Sequence, residues 1–232
     1  MGDLSKLRTQ VRREKNPAKA RILQGFFKTG KGEYGEGDVF LGLTVPQSRK
    51  IAKAFSNLDL ASIRSLLFSR IHEERLIALL ILVEQFKVGR EAARKKIAKF
   101  YLKNSRSVNN WDLVDLSADK ILGVYLLDKH RGLLRKLAVS KNLWERRMAI
   151  VATYQFIKKD RFEDTIAIAR LLLRDEHDLI HKAVGWMLRE VGKREKAVEA
   201  EFLQKYHKIM PRTMLRYAIE RFPEAERKQY LG

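Results

Sequence analysis

The sequence contains no cysteine. Disulfides, thiolate zinc fingers and cysteine-ligated iron–sulfur clusters are thereby excluded, and the absence fits a reducing cytosol. Long apolar runs are missing as well. The longest, "LIALLILV" at residues 76–83, falls far short of the roughly 20 residues that cross a bilayer. The N-terminal "MGDLSKLRTQVRREK" carries basic residues but no apolar stretch of the kind a signal peptide needs. A soluble, intracellular, cytoplasmic protein is expected. Acidic residues are scarce: 28 Asp and Glu stand against 48 Lys and Arg, for a net charge of +20. Such a field repels itself and attracts a polyanion, nucleic acid first and an anionic membrane surface second. The bland alternative is a basic protein that is merely soluble.

Only four prolines interrupt the chain, and three stand where helices should start: Pro17 in "NPAKA", Pro46 in "TVPQS" and Pro211 in "MPRTM". Between them apolar residues recur at spacings of three and four, as in "IRSLLF" and "TIAIARLLL". Strict alternation is almost absent. The pattern predicts an all-α chain of ten or more helices.

Two motifs are decoys. "TGKGEYGEGDVFLG", residues 29–42, contains Gly30-x-Gly32-x-x-Gly35, formally a dinucleotide fingerprint. That fingerprint needs a strand before it and amides open to pyrophosphate. Here the helical pattern "ARILQGFFK" precedes it, and Glu33, Glu36 and Asp38 would repel phosphate. A mobile connection between N-terminal helices is the better reading, one able to move over a ligand. "HDLIH" places His177 and His181 four apart. Zincins put Glu after the first His, but Asp178 stands there and no third ligand is evident. A helix start with two partly exposed histidines is the reading adopted.

A repeat is present. "EERLIALLIL" from Glu73, "ERRMAIVATY" from Glu145 and "IHKAVGWMLR" from Ile180 each set a basic residue three positions before a small or apolar one. The basic positions, Arg75, Arg147 and Lys182, are separated by 72 and 35 residues, and a weaker copy at Arg216 follows after 34. The double gap implies a further copy near position 111. Paired helices repeating at about this length predict a HEAT-like α-solenoid whose second helices line one concave wall. The whole chain, 1–232, is expected to form one such domain, with residues 29–42 inserted between its N-terminal helices. In this register Trp111, Arg147 and Lys182 are equivalent, and Asp115 and Trp186 lie one helical turn further on. Arg147 rather than Arg146 occupies the wall, because neighbours on a helix point about 100° apart. The patch then joins two of the three tryptophans to a carboxylate and basic groups. The competing reading makes Asp115 and Arg147 an inter-repeat ion pair and the tryptophans gap fillers.

The segments "NNWDLVDLSADKILG", "LWERRMAI", "HKAVGWMLREVGK" and "PRTMLRYAIERFP" resemble those of the AlkD-type DNA alkylation repair proteins, and "GEYGEGDVFLGLTVP" is similar to a stretch common among bacterial members. The resemblance runs from about residue 16 to the C-terminus. It implies a HEAT-like solenoid that cradles double-stranded DNA and excises purines alkylated at N3 or N7. Carried over by motif, Asp115 is the catalytic carboxylate, Trp111 and Trp186 flank it, and Arg147 is its phosphate and carboxylate partner. Lys182, Arg146, Arg189, Arg212 and Arg216 are expected to meet backbone phosphates. No cofactor or metal is called for, no membrane is involved, and the protein is expected to act as a monomer. The rivals are a non-catalytic relative that binds damaged or branched DNA, and a protein-binding scaffold.

Overall fold

Residues 2–231 are described by a computed structural model whose regular structure is helical. Among the described residues the only β feature is an isolated parallel bridge between Val39 and Ile71. The all-α, HEAT-like reading therefore holds. The helices fall into two units, Met1–Ser117 and Ala118–Gly232.

In the first unit α1 (Asp3–Arg13), α2 (Pro17–Phe26), α3 (Val45–Ala54), α4 (Leu60–Leu67), α5 (His72–Val88), α6 (Glu91–Lys103) and α7 (Trp111–Asp115) follow one another. Pro17 opens α2, where Asn16 caps the Lys19 amide at 3.0 Å. Pro46 lies in the first turn of α3, behind a capping box of Thr44 and Gln47. The run that is too short for a membrane forms α5, whose residues 72–82 are all buried. Helices α3 and α4 pack on it, as do α1, α6 and α7. A helix that is apolar nearly all round is stable only when covered on every side.

The second unit begins with a π-helical turn, Asp119–Gly123, and the short α8 (Val124–Leu126). Then come α9 (Gly132–Ala138), α10 (Leu143–Ala152), α11 (Tyr154–Ile157), α12 (Glu163–Leu171), α13 (Asp178–Gly192), α14 (Lys196–Tyr206), α15 (Arg212–Ala218) and α16 (Glu224–Leu231). Pro211 immediately precedes α15. Helix α10 packs against α9 and α13, and α13 packs in turn against α15. The repeat positions Arg147, Lys182 and Arg216 thus fall on three helices stacked in chain order. Gly185 sits where α13 meets α15, and a Cβ there would run into the Met214 carbonyl and the Tyr217 side chain. The small residue of that repeat copy is what lets the two backbones approach.

Candidate functional site

Trp111 and Asp115 open and close α7 and so lie one turn apart on the same face. Five residues do not hold a helix by themselves, and outside contacts set this one. The buried Asn110 accepts the Trp111 amide through Oδ1 at 2.8 Å. Trp111 is half-buried and stacks on Phe27 at 5.1 Å with planes 8° apart. Phe27 stacks in turn on Phe40 at 4.9 Å, so three rings form a ladder anchored in the core. Phe26 touches the Trp111 edge at 5.9 Å and is 62% exposed. The pair Phe26 and Phe27, which sequence reasoning passed over, therefore builds the floor and rim of the Trp111 position. The adjacent "FF" at the C-terminal end of α2 was the available signal.

The other carboxylate of α7 is committed elsewhere. Asp112 Oδ2 lies 2.8 Å from His72 Nε2, and His72 Nδ1 lies 3.0 Å from Asp38 Oδ2. Asp38 Oδ1 meets Arg75 Nη2 at 2.6 Å, and Asn110 donates to Asp38 Oδ2 at 3.3 Å. All five side chains are buried. Burial pushes the His72 pKa down, but Asp112 and then Asp38 more than offset it, and the net shift is upward. Burial raises Asp38, yet the bond from His72 and the charge of Arg75 hold it below the usual carboxylate value.

The Gly-rich segment differs from the mobile connection expected. Glu33 and Glu36 accept the amides of Gly30 and Gly32 at 2.9 and 2.8 Å, so they shape the turn locally. From Asp38 onward the segment is stapled to α5. Besides the Asp38 contacts, Glu73 accepts the amides of Leu41, Gly42 and Leu43 at 3.0, 2.7 and 3.2 Å. Gly42 adopts φ +91°, and a Cβ there would strike the Asn16 carbonyl. Its acidic residue Asp38 serves an internal network; a mobile reading fails because the partners lie more than 30 residues away in sequence.

The remaining candidates belong to the second unit. Arg147 on α10 is buried, at 5% exposure, and its Nη1 donates to the Leu179 carbonyl in the first turn of α13. It thus joins α10 to the helix that carries Lys182 and Trp186. Arg146 points elsewhere, as its 100° offset requires: it chelates Asp175 at 2.6 and 3.3 Å and donates to the Ser140 and Lys141 carbonyls. Trp186 is half-buried, donates to Glu190 at 3.2 Å and lies 6.1 Å from the Tyr154 ring. Burial raises the Tyr154 pKa, and the charges of Glu190 and Asp119 add to the effect. Lys182 pairs with Asp178 at 2.6 Å, Arg189 with Glu220, and Arg212 reaches the Leu231 carbonyl at 2.8 Å. Arg216 is exposed and has no partner among the described residues. The two histidines of "HDLIH" are used locally. His177 accepts the Leu179 amide at 3.1 Å as the cap of α13, and His181 faces the Asp175 carbonyl.

A basic face missed in the sequence lies on α6. Lys95, Lys96, Lys99 and Lys103, flanked by Arg90 and Arg106, are all exposed and unpartnered among the described residues. At about 100° per residue they point away from the buried Ile97, Ala98 and Tyr101.

No curated protein matches this sequence. A solved structure described as a predicted DNA alkylation repair enzyme from Enterococcus faecalis shares the fold, with a TM-score of 0.70 at 18% identity over 90% of this chain and 97% of that one. The family model for DNA alkylation repair enzymes matches residues 7–222, nearly the whole length. With a tryptophan and a carboxylate one turn apart on α7, and basic residues repeating down α10, α13 and α15, the chain belongs to the DNA alkylation repair enzyme family.

Proposed function

We propose that the chain, working as one repeat domain over residues 1–232, is a DNA glycosylase. It excises cationic N3- and N7-alkylated purines such as 3-methyladenine and 7-methylguanine from duplex DNA, as a cytoplasmic monomer without a cofactor. The observation that carries this reading is on α7 of a family member: Trp111 and Asp115 stand one turn apart on one face, both half-buried, while Asp112 between them faces His72.

An alkylated purine already bears positive charge and leaves as a neutral base, so little help from a general acid is needed. The remaining barrier is the oxocarbenium-like sugar and the delivery of water. Asp115 stabilises that cation and orients the water. The indole face of Trp111, one turn from Asp115 on α7, packs on the deoxyribose and adds to the stabilisation. Arg147, Lys182, Arg189, Arg212 and Arg216 supply positive charge to the phosphate backbone, whereas Arg146 is held by Asp175 and is dropped from that set. Base release from methylated duplex DNA, followed by mass spectrometry, tests the reading. Release of 7-methylguanine and 3-methyladenine, without release of uracil, is expected. Efficient uracil release, or no release of either methylated base, overturns it.

A further inference from the structure

The first unit buries four ionisable side chains in a row: Arg75, Asp38, His72 and Asp112. Basic and acidic groups alternate along contacts of 2.6, 3.0 and 2.8 Å. Ionised carboxylates only accept hydrogen bonds, and a neutral imidazole has one N–H to give. Both ring nitrogens of His72 face a carboxylate oxygen, so both contacts are bonds only when the ring carries two protons. Arg75 Nη2 also lies 3.4 Å from Nδ1. A neutral ring accepting from Arg75 would then turn its Nδ1 lone pair towards Asp38 Oδ2 at 3.0 Å. Arg75 keeps Asp38 ionised, so that arrangement is repulsive.

The rest of the surroundings agree. Phe27 and Phe40 cover the ring at 5.0 and 4.4 Å. Glu73, next to His72 on α5, is turned to the amides of residues 41–43 and supplies no further acceptor. The charged groups that face His72 are therefore Arg75 from α5, Asp38 from the connection and Asp112 from α7. The upward shift of the His72 pKa has the sign this arrangement requires.

The network ends on the helix that matters most. Asp112 lies between Trp111 and Asp115, and the cap of α7, Asn110, bonds to the same Asp38 oxygen that faces His72. Burying such a network is costly, and its attested return is a unique arrangement rather than stability. We propose that His72 is a positioning residue: as a buried imidazolium it ties α7, and with it Trp111 and Asp115, to α5 and to the connection carrying Asp38. The catalytic consequence rests on the proposed function; the link itself does not.

Two measurements on the protein test the link without activity. In wild-type protein at about pH 8, above the ordinary imidazole value of roughly 6.5, ¹⁵N NMR is expected to show both His72 nitrogens protonated. A neutral tautomer there overturns the proposal. With fluorotryptophan incorporated, the ¹⁹F resonance of Trp111 should move in His72→Gln and in Asp112→Asn, while those of Trp144 and Trp186 stay. An unmoved Trp111 signal in folded variants also overturns it. For catalysis, both variants should lose roughly 100-fold in single-turnover excision, with duplex affinity unchanged, and the double variant should be no worse than either single one. Full excision in the folded variants refutes the positioning role. If wild-type protein excises nothing, the glycosylase reading falls, and the two NMR measurements still decide the link.

Discussion

Glu73 accepts the amide of Gly42 at 2.7 Å, across 31 residues of sequence. The bond divides the Gly-rich connection into a locally shaped turn, residues 30–37, and a segment from Asp38 to Leu43 that belongs to the core of the first unit. Shortening the turn should leave the circular dichroism and melting point close to wild type. Glu73→Ala strands the buried amides of Gly42 and Leu43, and should cost roughly 3 kcal/mol or more. A urea melt of both variants checks the division. Equal stability of Glu73→Ala and wild type would show that the staple carries nothing.

Glu199 on α14 is 1% exposed, and burial pushes its pKa up to about 8, with Arg189 and Lys196 only partly opposing. Between the ordinary value of 4.5 and 8 the folded chain holds a proton that the unfolded chain has released. Stability should therefore fall as pH rises through that window, at up to roughly 1.4 kcal/mol per pH unit. Glu199→Gln should melt higher than wild type at pH 8 and at the same temperature near pH 4. The thermal melts at those two values check the sign.

His72 has the same slope for a different reason. Its stabilisation is complete below the unfolded value of about 6.5 and is lost as pH climbs through its raised folded value. Asp38 works in the opposite sense: its contribution is present above 3.8 and is lost as pH falls through its lowered value. His72→Gln should flatten the alkaline limb that remains in a Glu199→Gln background. A limb of unchanged steepness would assign it to another group.

Asp115→Asn keeps size and removes charge. Single-turnover excision should drop by orders of magnitude, since electrostatic terms of this kind are worth roughly 3–4 kcal/mol, while duplex affinity holds or rises slightly. A lowered melting point with unchanged base release would make Asp115 a structural partner only.

Duplex affinity should be indifferent to sequence and fall steeply with salt. On the proposed DNA-binding reading, the exposed lysines of α6 contribute to that slope. Replacing Lys95, Lys99 and Lys103 by Gln should reduce it, by about one for each phosphate that is no longer neutralised. Arg146→Gln should lower the melting point more than the slope, because its guanidinium is already spent on Asp175. Fluorescence anisotropy across a salt series separates the two.

How much of this the sequence disclosed follows from the range of each interaction. Helix starts at Pro17 and Pro46, the one-turn spacing of Trp111 and Asp115, and the stacking order of Arg147, Lys182 and Arg216 are local or periodic, and periodicity is what a sequence displays. The staple of Glu73 on Gly42, the Phe27–Trp111 stack and the Arg146–Asp175 pair join residues 29 to 84 apart. A charge pattern does not say whether an arginine faces solvent or a buried carboxylate, and so Arg146 read as a phosphate contact. The lysines of α6 read as ordinary surface, because only the buried face opposite shows how completely they are turned outward.

Helix α5 imposes an order on synthesis. With its residues 72–82 buried throughout, it has no wet face along that stretch on which to wait. When it leaves the ribosome, α1 to α4 are already available, but α6 and α7 are still inside. Residues 76–83 are then a sticky, half-clad segment of the kind that chaperones grip. The first unit gains a complete coat only after Asp115 has emerged, so the interval between the emergence of residue 88 and that of residue 115 is the one in which this segment is most exposed to aggregation.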